Sequence, residues 1–540
     1  MSIKSTMMNF QLTLPTMLER LGQFFPDVEI VSRMPDKSLH RSNYGQVHKR
    51  AKRLASALTK AGINQGECVA TLMWNHYAHL EAYMGIPVMG GVIHTLNLRL
   101  SPEDIAYIAN HAEDKILIVD DVLLPLYEQF KADVNFSKVI VVPLSGAAVS
   151  DEYINYEDFL ASGDGDFDYP MIDENAPAGM CYTSGTTGRP KGVVYSHRST
   201  VLHCFAEAMQ DTLAISQHDV VTPVVPMFHA NAWGLPYTSV MVGAKQVFPG
   251  PHLDAESLLD LYEAEQVTLS AGVPTIWMAI KQAREAQPNR WKTAANMRMA
   301  VGGSAVPESL FRAFDAFDMK IIQAWGMTET SPLATLGGIQ NSLTGLDKDA
   351  QYKYRIKQGV PLPFVEVRIV NDEGVVQPWD GVAQGDAELR GPWVTGSYHK
   401  NEGADDKFSD DGWLKTGDVC NIDRYGYVKL TDRTKDLVKS GGEWISSVDL
   451  ENAIMGHPDV IEAAVIAVPH PKWDERPLAA IVVKEGKTLD KDDIHQFLAG
   501  KFNKIWLPDA VETIDEIPKT STGKFMKLKL REMYKDWRWD

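Results

Sequence analysis

A glycine- and threonine-rich segment, residues 182–193, has the residue types needed to hold the phosphates of a nucleotide. It reads YTSGTTGRPKGV, so glycines and small hydroxyl residues let backbone N–H groups close around an anion while Lys191 adds positive charge. The spacing is not that of a Walker A loop, because the second glycine and the Lys-Ser/Thr pair are misplaced. We interpret the segment as a clamp for β- and γ-phosphates, with a flexible surface loop as the alternative. The candidate ligands are Thr183, Ser184, Gly185, Thr186, Thr187, Gly188 and Lys191.

Residues 323–330, QAWGMTET, could hold a flat base and a metal ion. Trp325 stands beside Gly326, so its ring could lie against a base, and Thr328 and Glu329 offer oxygen ligands of the kind that Mg²⁺ prefers. The alternative is a core tryptophan next to a solvated acid.

Asp418 ends a third segment, WLKTGD at residues 413–418, and follows Gly417 directly. A carboxylate in this position can accept both hydroxyls of a ribose. The alternative is an aspartate that stabilises a turn.

A fourth segment, PKTSTGK at residues 518–524, lies near the end of the chain and presents Lys524 after a glycine. Lys524 could bridge a carboxylate and a phosphate as negative charge builds between them. The alternative is a solvated basic helix, the usual role of a charge run. The basic residues of this tail are Lys519, Lys524, Lys527, Lys529, Arg531 and Lys535.

Alternating helical and strand patterns must position these segments, and they predict an α/β protein. Residues 115–119 and 138–143 are apolar runs typical of buried parallel strands, and residues 220–244 are interpreted as strand and loop inside a core. The best domain boundary lies near residues 432–436, which predicts a large domain over residues 1–433 and a small one over residues 434–540.

Composition limits the classes of function. The 540 residues include 53 Lys and Arg against 71 Asp and Glu, a formal charge of −18 that argues against nucleic-acid or anionic-membrane partners. The four cysteines form no CxxC pair and are typical of reduced thiols. With neither a signal-peptide pattern nor a segment that we interpret as membrane-spanning, we expect a soluble, cytoplasmic protein.

In this order, the four segments resemble those of the acyl-adenylate-forming superfamily of acyl-CoA synthetases, luciferases and peptide-synthetase adenylation domains, over residues 12–537. Residues 225–234 and 439–447 are most similar to those of bacterial medium- and long-chain fatty-acid–CoA ligases and 3-methylmercaptopropionate–CoA ligases. The resemblance implies a large N-terminal domain of two β-sheets with helices plus a small β-barrel-like subdomain, followed by a mobile α+β C-terminal domain.

The reaction implied by the resemblance has two steps: an acid and ATP give an acyl-adenylate and diphosphate, and CoA then displaces AMP. Glu329 would hold Mg²⁺, Thr328 would contact the α-phosphate, and Lys524 would be the adenylation lysine. The remaining nucleotide contacts would be Asp418 and Arg433 at the ribose, and Gly302, Gly303, Ser304, Ala324, Trp325, Gly326 and Met327 around the adenine.

The same resemblance makes Lys435 the hinge between the domains. Rotation there would withdraw Lys524 and bring the mouth of a CoA channel to the active site, formed by Lys439, Gly441, Gly442, Glu443 and Trp444. Without the resemblance, Lys435 is interpreted as a surface lysine in an ion pair.

His229 and Trp233 would line the acyl pocket, although a lone histidine in an apolar stretch is more often a satisfied core residue. Relatives that activate amino acids carry an aspartate after the aromatic residue, where this chain has His229 after Phe228. We therefore expect an acid without an ammonium group, of short to medium chain length, with 3-methylmercaptopropionate as one candidate.

Other hypotheses remain open at this point. They are a medium- or long-chain fatty-acid–CoA ligase, an acid-activating domain that loads a carrier protein, and a catalytically inactive nucleotide-binding regulator. The resemblance also suggests a homodimer.

Overall fold

The structure is a computed structural model that describes residues 3–183, 189–303, 306–401, 406–433, 435–440, 443–519 and 525–539. Its described residues form four sheets with helices between and around them. This mixed α/β architecture is the one predicted. In the described ranges no helix combines the length and the apolar character needed to cross a membrane.

The first sheet is parallel except at one edge, where two strands form a hairpin. Its central strands are buried along their whole length, which explains their unbroken apolar sequence. In spatial order its strands are Ile154–Asn155, Lys138–Val142, Ile116–Asp120, Cys68–Leu72, Val92–Thr95, Pro177–Tyr182 and Gly192–Ser196.

The second sheet has a parallel centre and antiparallel edges. In spatial order its strands are Val360–Pro361, Leu333–Leu336, Met319–Gly326, Met297–Val301, Leu269–Gly272, Val220–Pro223, Lys245–Phe248, Glu29–Arg33 and Leu39–Asn43. Parallel strands carry loops to a common edge, so Gly302 and Gly326, at or after the carboxyl ends of neighbouring strands, come together there.

Two further sheets follow in the chain. The third is antiparallel and consists of Glu366–Val370, Gly385–Arg390, Leu414–Ile422 and Val428–Arg433. The fourth contains Glu443–Ile445, Val438–Ser440, Asp474–Val483 and Val460–His470, with Ala510–Thr513 parallel to Asp474–Val483.

Helices cover the sheets and supply several groups of the site described below. They are Leu14–Phe24, Tyr44–Lys60, Tyr77–Val88, Pro102–Ala112, Leu124–Tyr127, Tyr156–Ala161, His197–Ala208, Leu235–Val242, Ala255–Glu265, Pro274–Ala286, Glu308–Ala316, Lys348–Arg355, Ser447–Ile454, Lys491–Leu498 and Lys527–Met533.

The apolar cores follow the division into a large and a small part. The main core draws buried residues from Leu14 to Val428, whereas two separate clusters draw only on Val438 to Leu530. The boundary between residues 433 and 434 stays a prediction, and Thr434 lies outside the described residues.

One prediction about local structure needs correction. Residues 220–244 contain the predicted strand, Val220–Pro223, but also the helix Leu235–Val242. Its first turn carries Pro236, a position at which proline is compatible with a helix because the first N–H groups need no intrahelical partner. The expectation of strand and loop alone over residues 220–244 is therefore wrong.

Candidate active site

The ends of the glycine- and threonine-rich segment are held together at the base of a hairpin. Strands Pro177–Tyr182 and Gly192–Ser196 pair in antiparallel fashion, and the Thr183 N–H donates to the Lys191 carbonyl at 2.9 Å. The Lys191 N–H donates in turn to the Thr183 hydroxyl at 3.1 Å. Ser184, Gly185, Thr186, Thr187 and Gly188 lie outside the described residues.

Trp325, Asp418 and Arg433 form one connected group, although they come from three segments of the chain. The Trp325 indole N–H donates to Asp418 Oδ2 at 2.9 Å, and Arg433 Nε lies 2.7 Å from Asp418 Oδ1. The last two residues face each other across neighbouring strands. The Asp418 carboxylate is the main cause that raises the pKa of Arg433, so the guanidinium stays charged. The structure thus joins the second and third candidate segments.

Glu329 is buried and accepts a hydrogen bond from the Tyr398 phenol at 2.7 Å. Burial and the adjacent Glu329 raise the pKa of Tyr398, so its hydroxyl remains a donor. The Lys191 ammonium lies 5.1 Å from the centre of the Tyr398 ring. The Tyr195 hydroxyl donates to the Thr328 carbonyl at 2.8 Å. Lys191 and the acid–threonine pair therefore occupy one corner of the molecule.

Gly302 follows strand Met297–Val301 of the second sheet and lies next to Trp233, which is predicted to line the acyl pocket. A Cβ atom on Gly302 would lie 3.0 Å from a ring carbon of Trp233 and 3.3 Å from the Ala324 carbonyl oxygen. A side chain at this position would crowd both groups, so glycine lets them approach closely. Gly303 follows with a φ of +93°, and Ser304 lies outside the described residues. The Met327 N–H donates to the Pro332 carbonyl at 3.1 Å.

Residues 230–234, here named the left-handed turn, follow the half-buried His229. Their φ values are 42°, 55°, 49°, 57° and 82°, and the first four are not glycines. Successive left-handed residues cost about 1–2 kcal/mol each, so such a turn persists only where its surroundings impose it. Trp233 is 8% exposed in this turn.

A group of charged side chains, here named the boundary cluster, lies where strand Val428–Arg433 meets the C-terminal part. Lys527 Nζ lies 2.8 Å from Glu451 Oε1 and donates to the Ser447 hydroxyl at 2.5 Å. That hydroxyl and the Ser447 N–H both donate to Asp432 Oδ2. Arg531 lies 2.7 Å from Asp436 Oδ1. The members of the cluster are Asp432, Asp436, Ser447, Glu451, Lys527 and Arg531.

Of the other predicted lid residues, the structure describes Lys435, Lys439, Glu443 and Trp444. Lys435 and Lys439 are exposed, and the Lys439 N–H donates to Glu475 Oε2 at 2.8 Å. Glu443 and Trp444 belong to strand Glu443–Ile445, which pairs with strand Val438–Ser440. For these two residues the structure describes the backbone. Gly441, Gly442 and Lys524 are outside the described residues.

Sequence reasoning missed several residues of this region. Tyr398 lies in a stretch, GSYHK, that has no motif signal, and its importance appears only through the bond to Glu329. Lys527 was interpreted only as part of a basic tail, although its side chain is just 10% exposed. The available signal was helical spacing. Lys527 stands three residues before the apolar Leu530, which is buried, whereas Lys529 is exposed.

Known proteins match the chain over nearly its whole length. The family model "AMP-binding enzyme" matches residues 18–399, and "AMP-binding enzyme C-terminal domain" matches residues 449–524. A long-chain-fatty-acid–CoA ligase of Thermus thermophilus is 48% identical over 534 residues, which are 99% of this chain and 97% of the relative. A 3-methylmercaptopropionyl-CoA ligase of Ruegeria pomeroyi is 43% identical over 98% of both chains.

A solved structure agrees with the sequence comparisons. The anthranilate–CoA ligase AuaEII in complex with anthranoyl-AMP superposes with a TM-score of 0.87 and 25% identity, covering 99% of both chains. An enzyme of this type uses ATP and CoA to convert a carboxylic acid into its thioester through an acyl-adenylate. The chain belongs to the AMP-binding enzyme family and is an AMP-forming acyl-CoA ligase.

Proposed function

We propose that this ligase activates a short- to medium-chain carboxylic acid with no charge other than its carboxylate, with 3-methylmercaptopropionate as one candidate. The observation that carries the proposal is the environment of the left-handed turn, where Trp233 packs against Gly302 and the neighbouring His203 is neutral. A substrate ammonium would find no carboxylate partner in the position next to Phe228. The names of the relatives, a 3-methylmercaptopropionyl-CoA ligase and a long-chain-fatty-acid–CoA ligase, support an acid with no charge other than its carboxylate but differ in chain length.

The nucleotide would bind across the corner shared by three segments. Asp418 and Arg433 would hold the ribose, while Trp325, Gly302 and Gly303 would enclose the adenine. Lys191 and the neighbouring hydroxyl residues would hold the β- and γ-phosphates, and Thr328 would contact the α-phosphate. The connection of Trp325, Asp418 and Arg433 supports this assignment, because it fixes the base and ribose groups relative to one another.

Glu329 fits a role as the protein ligand of Mg²⁺. The described residues contain no group of three or more carboxylate, imidazole or thiol side chains arranged to hold a metal ion, and Mg²⁺ is commonly held by one or two carboxylates together with substrate phosphates. Tyr398 holds one carboxylate oxygen of Glu329, which fixes the orientation of the other. When bound, the ion would neutralise phosphate charge during adenylation.

In the first half-reaction, a carboxylate oxygen of the acid attacks the α-phosphorus of ATP, and diphosphate leaves. Lys524 would stabilise the charge that develops between the two anions. In the second, the CoA sulfur, after loss of its proton, attacks the acyl carbon and AMP leaves. We propose that rotation at Lys435 replaces Lys524 by the face containing Lys439, Gly441, Gly442, Glu443 and Trp444, so that one domain serves both steps.

We further propose a cytoplasmic homodimer. All four cysteines are free and buried, which suits a reducing compartment. The N-terminal arm presents apolar side chains at 67% exposure or more, a pattern typical of a surface that a second subunit covers. These side chains belong to Ile3, Met7, Met8 and Phe10.

The test is AMP release in the presence and absence of CoA, measured with straight-chain acids from butanoate to hexadecanoate and with methylthio acids. We expect the highest kcat/KM for short or medium acids. A maximum at hexadecanoate would favour the long-chain alternative. Adenylate formation that proceeds to no CoA thioester would favour the carrier-loading domain. An absence of diphosphate release with every acid would favour the inactive regulator.

A further inference from the structure

One buried side chain connects the first sheet to a segment that leaves the second. Asn75 is 3% exposed and stands shortly after strand Cys68–Leu72 of the first sheet. Its amide nitrogen donates to the Pro223 and Val225 carbonyls, both at 2.9 Å, and its amide oxygen accepts from the Met227 N–H at 2.7 Å. The whole hydrogen-bonding capacity of this amide nitrogen, and its oxygen as well, is therefore used on one stretch of backbone.

The sequence of that stretch explains why it needs such a partner. Pro223 and Pro226 have no N–H group, so the backbone cannot continue a regular ladder of hydrogen bonds beyond strand Val220–Pro223. The chain nevertheless stays buried at Val225 and Met227. Because buried backbone groups need hydrogen-bond partners, the amide supplies what the sheet no longer can.

Asn75 is itself held in place by the neighbouring strand of the first sheet. Asp120, the last residue of strand Ile116–Asp120, is 0% exposed. Its Oδ2 accepts from the Trp74 N–H at 2.8 Å, and its Oδ1 lies 2.8 Å from His76 Nε2. One carboxylate therefore holds the residues on both sides of Asn75, which fixes the place from which the amide reaches the second sheet.

The stretch held by Asn75 leads directly to the residues proposed for the acyl chain. The Tyr83 hydroxyl donates to the Met227 carbonyl, so both backbone groups of Met227 are bound to side chains that follow the first sheet's strands. Phe228 and His229 come next in the chain, and the left-handed turn follows them. A displacement of Met227 would therefore also move His229 and the turn.

From this arrangement we propose that Asn75 is a positioning residue, which sets the place of the acyl-site wall, and so of the bound acid, relative to the first sheet. The proposal rests on the proposed function, because that function takes His229 and Trp233 as part of the acyl site. The first sheet also contains the hairpin of Pro177–Tyr182 and Gly192–Ser196, at the base of the proposed phosphate clamp. Asn75 would therefore fix the acid relative to the phosphates of ATP.

Loss of this connection is expected to affect the acid more than the nucleotide. Two reactants must be closely aligned, and a misplacement of about 1 Å can lower a rate by about 100-fold. The residues proposed for the base and the ribose, Trp325, Asp418 and Arg433, are joined by bonds of their own. The affinity for ATP should therefore depend little on Asn75.

Asn75→Leu provides the test, because leucine has a similar branched shape but forms none of these hydrogen bonds. For each variant we measure kcat/KM for the acid, the KM for ATP and the thermal unfolding midpoint, with CoA-dependent AMP release as the activity readout. The acid is 3-methylmercaptopropionate, or hexadecanoate if the wild-type enzyme prefers long chains. Gln358→Met is the matched control, because Gln358 is 3% exposed and its Oε1 accepts from the Leu430 N–H at 2.7 Å. That variant also removes a buried amide bound to the backbone.

Asn75→Leu is expected to lower kcat/KM for the acid roughly tenfold or more and to leave the KM for ATP within about twofold of the wild-type value. Gln358→Met should leave both parameters near wild type, even if it lowers the unfolding midpoint. An unchanged kcat/KM for the acid in folded Asn75→Leu, or the same loss in Gln358→Met, would overturn the proposal. If Asn75→Leu does not fold, Tyr83→Phe, which removes the bond to the Met227 carbonyl, must lower kcat/KM for the acid, and an unchanged value overturns the proposal.

Trp233→Ala separates a failure of this inference from a failure of the proposed function. If Trp233→Ala lowers kcat/KM for the acid and Asn75→Leu does not, the role of Asn75 is wrong and the acyl site stands. If neither variant changes it, the left-handed turn is not part of the acyl site, and both proposals fail. A wild-type preference for hexadecanoate would overturn the proposed chain length, while the comparison of Asn75→Leu with Gln358→Met would still decide the role of Asn75.

Discussion

The left-handed turn and the boundary cluster both border the proposed active site, but different contacts hold them in place. The turn is held by close packing against Gly302 and by neutral groups, Glu207 and His203. The boundary cluster consists of two ion pairs within the C-terminal part, Lys527–Glu451 and Arg531–Asp436, and of the hydrogen bonds from Ser447 to Asp432 that cross the predicted boundary. Packed neutral contacts define one geometry, whereas hydrogen bonds to a carboxylate can exchange partners when a domain moves. The difference is consistent with the proposed roles of the two regions, a fixed wall for the acyl chain and a rotating lid.

The largest effect is expected on the lid side, from Lys524→Ala. Loss of this ammonium should lower acyl-adenylate formation about 100-fold or more, because the charge of the transition state loses its partner. Thioester formation from supplied acyl-adenylate should change little. Diphosphate release and CoA-thioester formation measure the two steps separately, and Lys535→Ala is the control. Equal losses in both steps would contradict the proposal that Lys524 acts in adenylation and is withdrawn for thioester formation.

The next effect tests the turn. Gly234→Ala places a methyl group 2.7 Å from His203 Nδ1 at a φ of +82°, which should displace Trp233 and lower kcat/KM for the acid by about tenfold or more. The KM for ATP should stay near its wild-type value. Gly374→Ala is the matched control, because that glycine has a φ of +77° and no neighbour within 4 Å of an added Cβ. The same loss in both variants would mean that backbone strain alone, and not contact with the wall, decides the outcome.

The boundary cluster is tested through stability by Lys527→Met. Removing the ammonium leaves Glu451 and Asp432 buried without their cation, and breaking a buried pair in this way costs about 3–5 kcal/mol. The thermal unfolding midpoint of the C-terminal part should fall by about 12 °C or more, as measured by calorimetry. The exposed Lys529→Met should leave that midpoint unchanged. Indistinguishable midpoints for the two variants would remove the boundary cluster from the comparison.

The smallest expected effect is on the pH dependence of stability, and it concerns His203 beside the left-handed turn. Burial lowers the pKa of His203 to about 3, below the value of about 6.5 in the unfolded chain. The unfolded state therefore binds more protons between these values, so this contribution to stability is complete above about pH 7 and is lost as the pH falls below 6.5. His203→Gln should reduce the fall in unfolding midpoint between pH 7.5 and pH 5.5 by about 1 °C. Glu207 titrates in both proteins, so an equal fall would contradict a neutral His203 in the wall.

Part of this structure follows from the sequence, and part does not. Residues 115–119 and 138–143 form strands Ile116–Asp120 and Lys138–Val142, because unbroken apolar runs favour strands buried on both faces. The motifs also identified the family, since each needs particular residue types at fixed spacing. The left-handed turn was missed, because Ala230, Asn231, Ala232 and Trp233 have no common preference for positive φ. Tertiary contacts impose that conformation. Glu207 and Lys527 were missed for a related reason, because the burial of a charged residue depends on segments distant in the chain.

The bond between Arg433 and Asp418 has a consequence for how nucleotide binding and domain orientation influence each other. Arg433 touches the carboxylate proposed to hold the ribose, and it stands two residues before Lys435. Its carbonyl also accepts from the Asp436 N–H, and Asp436 pairs with Arg531. A bound nucleoside that reorients this guanidinium would change the equilibrium constant between the two proposed orientations of the lid. Because such coupling is reciprocal, the affinities of the two lid orientations for that nucleoside must then differ by the same factor by which the nucleoside changes the equilibrium constant.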